Sequence, residues 1–416
     1  MGLFLLFVVP ALAIFVVWAL RPDPGKLLLV YSQPGKWYWL KFHLMKFVIG
    51  RRQKSSKSAA AKNDDLMDTQ FGGGGKRSIK DMDSKHKLPE DKARPGDCVF
   101  FDASNNEGYY FTLGTAQRKD DIINLFFLLR IPGLGTFIAP EMLTDTNVES
   151  ERTDSEWATK SGFRVNSTHA GQIAKSQPPT VFEEIGPMDK KNLENAELVP
   201  ASFDLEWTNF GEHFDFDQDI SPTSIAHSLA IEPWSRELFN KLKASHQSHY
   251  EQFGFLKGTF TVNGETYEDI SMTSMRDHTI TPHRDWSELR RYIMMIYHLD
   301  DGTCIHTSLI SMPEVVFSHL EFGYVITPDK QKHAVDRIHL HLADVGEKKG
   351  AFPKHFNYTF NAGHLHYNVK VKIIETVSFK MGLDQASQVD ENMAEFEVNG
   401  VNGRGFIEHQ HRIHPF

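Results

Sequence analysis

Short runs rich in β-branched and aromatic residues recur through most of this chain, separated by hairpin-type turns, and that pattern restricts the fold more than any other feature. The runs are Cys98–Asp102, Gly108–Thr115, Ile122–Ile131, Thr136–Ala139, Ala201–Trp207, Gly258–Val262, Tyr292–Leu299, Cys304–Ser311, His319–Ile326, Ile338–Ala343, Asn357–Asn361, Leu365–Glu375 and Met393–Val398. Asn105-Asn106-Glu107-Gly108, Asn263-Gly264, Asp300-Asp301-Gly302 and Asn399-Gly400 fall between them, and such dipeptides supply the positive φ angles that tight hairpins need. Closely spaced strands of this kind predict antiparallel barrels or sandwiches. With 31 Phe, 11 Tyr and 7 Trp in 416 residues, there is aromatic volume enough to fill them.

One helix is expected to interrupt the strands. Glu232-Pro233-Trp234-Ser235 opens a segment reaching about Phe253, with Pro233 suited to the first turn and Leu238, Leu242, Ser245 and His249 on one face. The reading is therefore mainly β: two antiparallel barrel or sandwich units, 96–231 and 255–416, joined by a linker helix over 232–254.

The first 95 residues differ in kind. Gly2 to Leu20 carry no charge and, at roughly 1.5 Å per residue, nearly match a hydrocarbon core of about 30 Å, which predicts an uncleaved transmembrane anchor over 1–21. Lys and Arg are frequent after it, so the positive-inside rule places the body of a single-pass protein on the cytoplasmic side. Trp37 to Ile49 mixes aromatic and aliphatic residues with Lys41 and Lys46, as an interfacial helix would. From Gly50 to Pro95 little can be buried, and 22–95 reads as that helix plus a flexible tether.

Composition and missing motifs exclude several activities. A net charge of −9 and a pI near 6.2 argue against nucleic-acid binding. Two cysteines, Cys98 and Cys304, give neither a disulfide framework nor a zinc signature. Phosphate-binding loops, dinucleotide fingerprints, nucleophile elbows and HExxH are all missing. Fourteen of the 21 histidines follow residue 270, among them His339-x-His341, His364-x-His366 and His409-x-His411, which on a strand would share a face. Without a matching third ligand, they carry no metal assignment, and no cofactor is expected.

Chemistry concentrates between Met275 and His298. Arg276-Asp277 and Arg284-Asp285 are followed directly by His278 and Trp286, ahead of the apolar run Tyr292 to Tyr297. Neighbouring side chains on a strand point to opposite faces, so Arg276 and Asp277 cannot pair well with each other, and each needs a partner elsewhere or water. Such a cluster is either a salt-bridge network at a strand end or the lining of a ligand site.

Phe203 to Gln252, the Arg276–Trp286 segment, Tyr297 to Val325 and Phe396 to Phe406 together resemble a family of unknown function. Its members occur in bacteria and ahead of the phosphoenolpyruvate-synthase-like chains of invertebrates. It is in turn similar to the two-barrel, lipocalin-like proteins that include carotenoid 1,2-hydratase. Relatives carry Arg-Asp-His-Ser-Trp-Gly-x-Arg-Asp-Trp; here Arg276, Asp277, His278, Arg284, Asp285 and Trp286 match, Thr279, Ile280 and Thr281 replace the centre, and one residue is added. The resemblance implies two lipocalin-like barrels; joined to the N-terminal segment, it gives the reading of a membrane-tethered protein that binds a lipid or isoprenoid. The alternatives are a terpenoid-type hydratase, cyclase or isomerase, and a non-catalytic scaffold. Hydration of a double bond needs a protonated carboxyl group in an apolar pocket, an aromatic wall and a held water. On that reading Asp277 or Asp285 is the acid, His278 positions water, Trp286 is the wall, and Arg276, Arg284, Tyr297 and Glu251 contact ligand.

Overall fold

The computed structural model describes residues 10, 16–58, 82–143, 145–166, 172–175, 180–184, 198–347, 352–382 and 385–413. The first sheet holds β1 (Gly96–Ser104), β2 (Tyr110–Gln117), β3 (Ile122–Ile131), β4 (Gly135–Ile138), β5 (Asn147–Glu151), β6 (Glu156–Thr159), β7 (Arg164–Asn166), β8 (Gln172–Lys175), β9 (Thr180–Glu184), β10 (Leu198–Asn209), β11 (Phe214–Asp215), β12 (Ser248–Val262) and β13 (Glu265–Thr281). Its antiparallel pairings return on themselves in the order β2-β1-β13-β12-β10-β9-β4-β3 and back to β2. The second sheet is a closed antiparallel barrel of β14 (Arg291–Leu299), β15 (Cys304–Ser311), β16 (Leu320–Ile326), β17 (Lys332–His339), β18 (His355–Ala362), β19 (Leu365–Met381), β20 (Ser387–Val398) and β21 (Val401–Arg412).

The turn residues act as their chemistry dictates. Asn263-Gly264 (φ 51° and 83°) joins β12 to β13, and Asn399-Gly400 (φ 50° and 88°) joins β20 to β21, the double positive φ of a type I′ hairpin. Because both rings close, neither leaves a long free edge.

Of the expected helix over 232–254 only 236–244 is helical, and a separate helix precedes it. Helix α2 (Pro222–Ile231) is capped by the Ser221 hydroxyl and ends at Glu232, held extended ahead of Pro233; α3 (Arg236–Ala244) restarts on a Ser235 cap. The chain is a strand again from Ser248, because Tyr250 to Phe253 pair with β13 through His278 to Met275. Residues 248–281 therefore belong to the first ring, and the boundary between the units falls between Thr281 and Arg291, not at 254. Pro233 thus lies between α2 and α3, just ahead of the part of the expected helix that forms.

Helix α1 (Tyr38–Ser58) covers the expected interfacial helix and runs nine residues past Ile49. One of its faces packs on the body: Ile49 and Gln53 are buried, Gln53 donates to the Ile220 carbonyl, and Lys41 donates to the Glu232 carbonyl. Residues 1–9 and 11–15, most of the expected membrane segment, lie outside the described residues, as do 59–81 of the expected tether. Among the described residues no helix is long and apolar enough to cross a membrane.

Aromatic rings fill the first barrel and the middle of the second, which keeps a polar space of about 560 Å³ at one end, lined by Arg291, Asp390, Asn392, His409 and His411. Phe111, Phe127, Phe163, Phe203, Phe260, Trp157 and Trp207 pack inside the first, and Tyr297, Tyr358, Phe360, Tyr367 and Phe396 inside the second. An apolar ligand held at the centre of either barrel, as lipocalin-like resemblance suggests, would have to displace these rings. An apolar space is left where the outer walls of the two barrels face each other.

Candidate functional site

The cavity between the barrels measures about 230 Å³. Strand alternation decides which side chains reach it. From β14, Tyr292, Met294 and Ile296 line it, while Ile293, Met295 and Tyr297 enter the second barrel. From β13, Asp277 and Thr279 line it, while Arg276 and His278 turn into the first. Phe100, Phe126, Phe322 and Phe379 supply an aromatic wall. Phe126 reaches across its strand partner Gly114, where a Cβ would sit 2.0 Å from the ring, and stacks on Phe379 at 5.3 Å.

Asp277 is the one carboxyl group on this wall without a hydrogen bond among the described residues. Burial pushes its pKa up from 3.8 to about 7, with His249 and Arg284 opposing and the Glu251 and Glu408 charges adding to the rise. Directly across the ladder stands Glu251. Burial would raise that group too, but His306 Nδ1 at 2.5 Å and His249 Nε2 at 3.0 Å hold it down, to about 2. Two adjacent carboxyl groups are thereby driven apart, one ionised throughout and one able to carry a proton near neutrality, the arrangement that separates acid from base roles in enzyme sites. His249 lines the cavity with its Nδ1 on Thr279 Oγ1 at 2.6 Å, so imidazole and Asp277 are held side by side. At the far wall Glu408 accepts from Tyr292 and lies opposite Glu391, which burial and the Glu408 charge push well above the usual carboxylate range.

Of the residues singled out from sequence, the structure brings Asp277, Arg284 and Trp286 to the cavity. Arg276 is buried instead against Asp83 (Nη1–Oδ1 2.9 Å), Gln252 and the Trp207 ring, 4.2 Å from its centroid. His278 meets Asp97 at 2.5 Å and cannot position water for Asp277, because it occupies the other face of β13. Asp285 pairs with Arg94 and caps the short turn at Trp286 by accepting from the Ser287 amide, which holds its pKa low and disqualifies it as the acid. Tyr297 stacks on Phe396 at 4.0 Å, and its hydroxyl meets that of Tyr358 at 2.9 Å. Glu251 stands behind His249 and orients it rather than touching the cavity. His249, Thr279, Tyr292 and Glu408 were not singled out for the site; the first had been placed on a helix.

Three groups of described residues bring three ligand-type atoms within 4.8 Å of one another: His86, Asp97 and His278; Asp390, His409 and His411; His283, Asp285 and Glu288. None borders the cavity between the barrels. Of the three histidine pairs, only His409 and His411 sit together on a strand, since β17 ends at His339 and His364 lies in a turn.

Fold and site together define a two-barrel β protein with an apolar cavity between its barrels and a protonatable carboxyl group on the cavity wall. The model of a family of unknown function (DUF8627) matches residues 6–410, and the chain belongs to that family. Three solved structures are similar. A protein labelled AttH from Nitrosomonas europaea shares 10% identity at a TM-score of 0.48, over 79% of this chain and 98% of that one. Kievitone hydratase from Nectria haematococca shares 8% at 0.38, over 84% and 98%. CghA shares 12% at 0.44, over 85% and 97%. No curated protein matches. The expected association with phosphoenolpyruvate-synthase-like chains gains no support from these matches.

Proposed function

We propose that the protein is an acid catalyst, a hydratase or isomerase of a compact apolar substrate, with Asp277 as the proton donor. The observation that carries this reading is a carboxyl group with no hydrogen bond among the described residues, on an aromatic cavity wall, its pKa raised by burial to about 7. Asp277 gives its proton to one carbon of a double bond; a C–H bond forms, the π bond breaks, and the Phe100, Phe126 and Trp286 rings face the resulting cation. Water then adds to the cation and returns a proton to the carboxylate, or a neighbouring carbon loses the proton and the double bond moves. A cavity of about 230 Å³ is roughly one and a half times the volume that holds benzene, so a body of about ten carbons fits. That size suits a small isoprenoid or fused ring better than the acyl chains of a membrane lipid, and it favours catalysis over the lipid-carrier and scaffold readings.

The test is incubation of the full chain with a lipid and metabolite extract in D₂O. Protonation at carbon fixes a non-exchangeable deuterium in the product, and Asp277→Asn should abolish the new species while the protein stays folded. Deuterated products that persist undiminished in the variant would sink the assignment.

Membrane apposition has its own support. The outward face of α1 leaves Trp39 66%, Leu40 63%, Leu44 49% and Phe47 61% exposed, with the Lys46 ammonium over the Phe42 ring and the Arg51 guanidinium over Phe47. Apolar rings with cations spread above them suit an anionic bilayer surface, from which an apolar substrate would be drawn. Vesicles containing phosphatidylserine should capture the full chain, and replacing Trp39, Leu44 and Phe47 by Ser should reduce capture; equal capture would remove this placement.

A further inference from the structure

Two guanidinium groups stand where the cavity between the barrels meets a smaller cleft of about 70 Å³: Arg118 and Arg284 line both spaces, together with Asn124 and Trp286. Neither has a carboxylate within ion-pair distance among the described residues. The two fully buried arginines among these residues are both paired: Arg276 reaches Asp83, and Arg291 reaches Glu347. Arg118 donates through Nε to Asn124 Oδ1 at 2.7 Å, yet its buried Nη1, packed over Gly96, finds no acceptor. Burial and the neighbouring Arg284 charge lower the Arg118 pKa. The acidic groups nearby do not relieve this. Asp285 already pairs with Arg94, and Asp277, its carboxyl raised by burial to about 7, makes no ion pair with either guanidinium. Two guanidiniums brought together at the mouth of an apolar cavity without a counter-ion constitute a costly arrangement unless an anion completes it, and the guanidinium fork matches the geometry of an oxyanion.

We propose that Arg118 and Arg284 form an oxyanion subsite at the cavity mouth, so that the substrate is amphiphilic, with a carboxylate or phosphate held by the two guanidiniums and an apolar body lying along the aromatic wall toward Asp277. This rests on the reading of the cavity as a substrate site. It adds orientation, because anchoring the charged end fixes which carbon of the body meets the Asp277 proton. It also offsets the repulsion that a cation in the cavity would otherwise feel from Arg284.

The experiment is calorimetric titration of the full chain with three ligands sharing one ring system: 2-naphthoate, 2-naphthyl phosphate and neutral 2-naphthamide. At least one of the two anions should bind about ten-fold or more tightly than the amide, the order expected of charged hydrogen bonds. Arg118→Gln and Arg284→Gln should each erase that preference, lowering anion affinity to that of the amide. Equal affinity of the wild-type protein for all three overturns the subsite while leaving the cavity as an apolar site, and needs no variant to interpret. Variants that weaken the amide as much as the anions would also overturn it, and no binding by any of the three would overturn both the subsite and the cavity reading.

Discussion

Strand β13 presents Arg276 and His278 on one face and Asp277 and Thr279 on the other, and the two faces handle charge in opposite ways. On the inward face both polar side chains find a counterpart: Arg276 meets Asp83, Gln252 and Trp207, and His278 meets Asp97. On the outward face Asp277 meets a cavity. A backbone that alternates thus builds a structural network and a chemical site from four consecutive residues, and the pairing of a group, rather than its burial, marks the difference.

The largest expected effect lies on the paired face. Arg276→Met leaves the Asp83 carboxylate buried without its guanidinium, which should lower stability by about 3–5 kcal/mol. Chemical denaturation would measure it, and ligand affinity of the folded fraction should be unchanged. A loss below about 1 kcal/mol would mean that Arg276 is not structural, and the contrast between the two faces would collapse.

Asp277→Asn should have the opposite sign. Its carboxyl is raised from 3.8 to about 7 in the folded protein. Below about pH 4 folded and unfolded chains both hold the proton; between there and about 7 the unfolded chain loses it while the folded chain keeps it. The contribution of this group to stability therefore falls as pH rises through that window and is flat above it, amounting to at most about 4 kcal/mol. Glu321, also raised to about 7, adds a slope of the same sign, so the measurement is the difference between wild type and variant. Asp277→Asn should be more stable above pH 7 and inactive, whereas parallel stability curves would show that the carboxyl is not strained.

Much of the fold was legible, and so was part of the site. Asn263-Gly264 and Asn399-Gly400 specified their hairpins because a type I′ turn accepts few other dipeptides. Alternation on an extended strand separated Arg276 from Asp277 before any partner was known. The partners were not legible, since Asp83 and Asp97 lie 193 and 181 residues from Arg276 and His278. His249 was misplaced because Leu238, Leu242 and Ser245 continue a helical stripe up to it, and only pairing with β13 shows that the chain has become a strand. Glu408, Phe126 and Arg118 join the cavity only through the packing of one barrel on another, which no local pattern records.

Gly114 sharpens the boundary of the unpaired region. A methyl group there would lie 2.0 Å from Phe126, so Gly114→Ala must push that ring away from Phe379 and toward the open space. The cost should be about 1–3 kcal/mol, as for other overpacked sites, and 2-naphthamide affinity should fall. Unchanged affinity would place the ligand away from the aromatic wall.

The smallest effect distinguishes the cavity from the second barrel. Tyr297 follows Tyr292 on β14 by five residues, so the two point to opposite sides of the strand: Tyr292 to the cavity, Tyr297 into the packed interior, where its hydroxyl meets Tyr358, itself hydrogen-bonded to Thr307 at 2.8 Å. Tyr297→Phe removes one hydroxyl from this chain and keeps the ring on Phe396. Tyr358 retains Thr307 as a partner, so the loss should be about 1 kcal/mol. Ligand affinity and turnover should not change, because no atom of Tyr297 borders the cavity. If either fell by more than the stability loss accounts for, the ligand would have to occupy the barrel interior, and the division between a filled barrel and a working cavity would be drawn on the wrong side of β14.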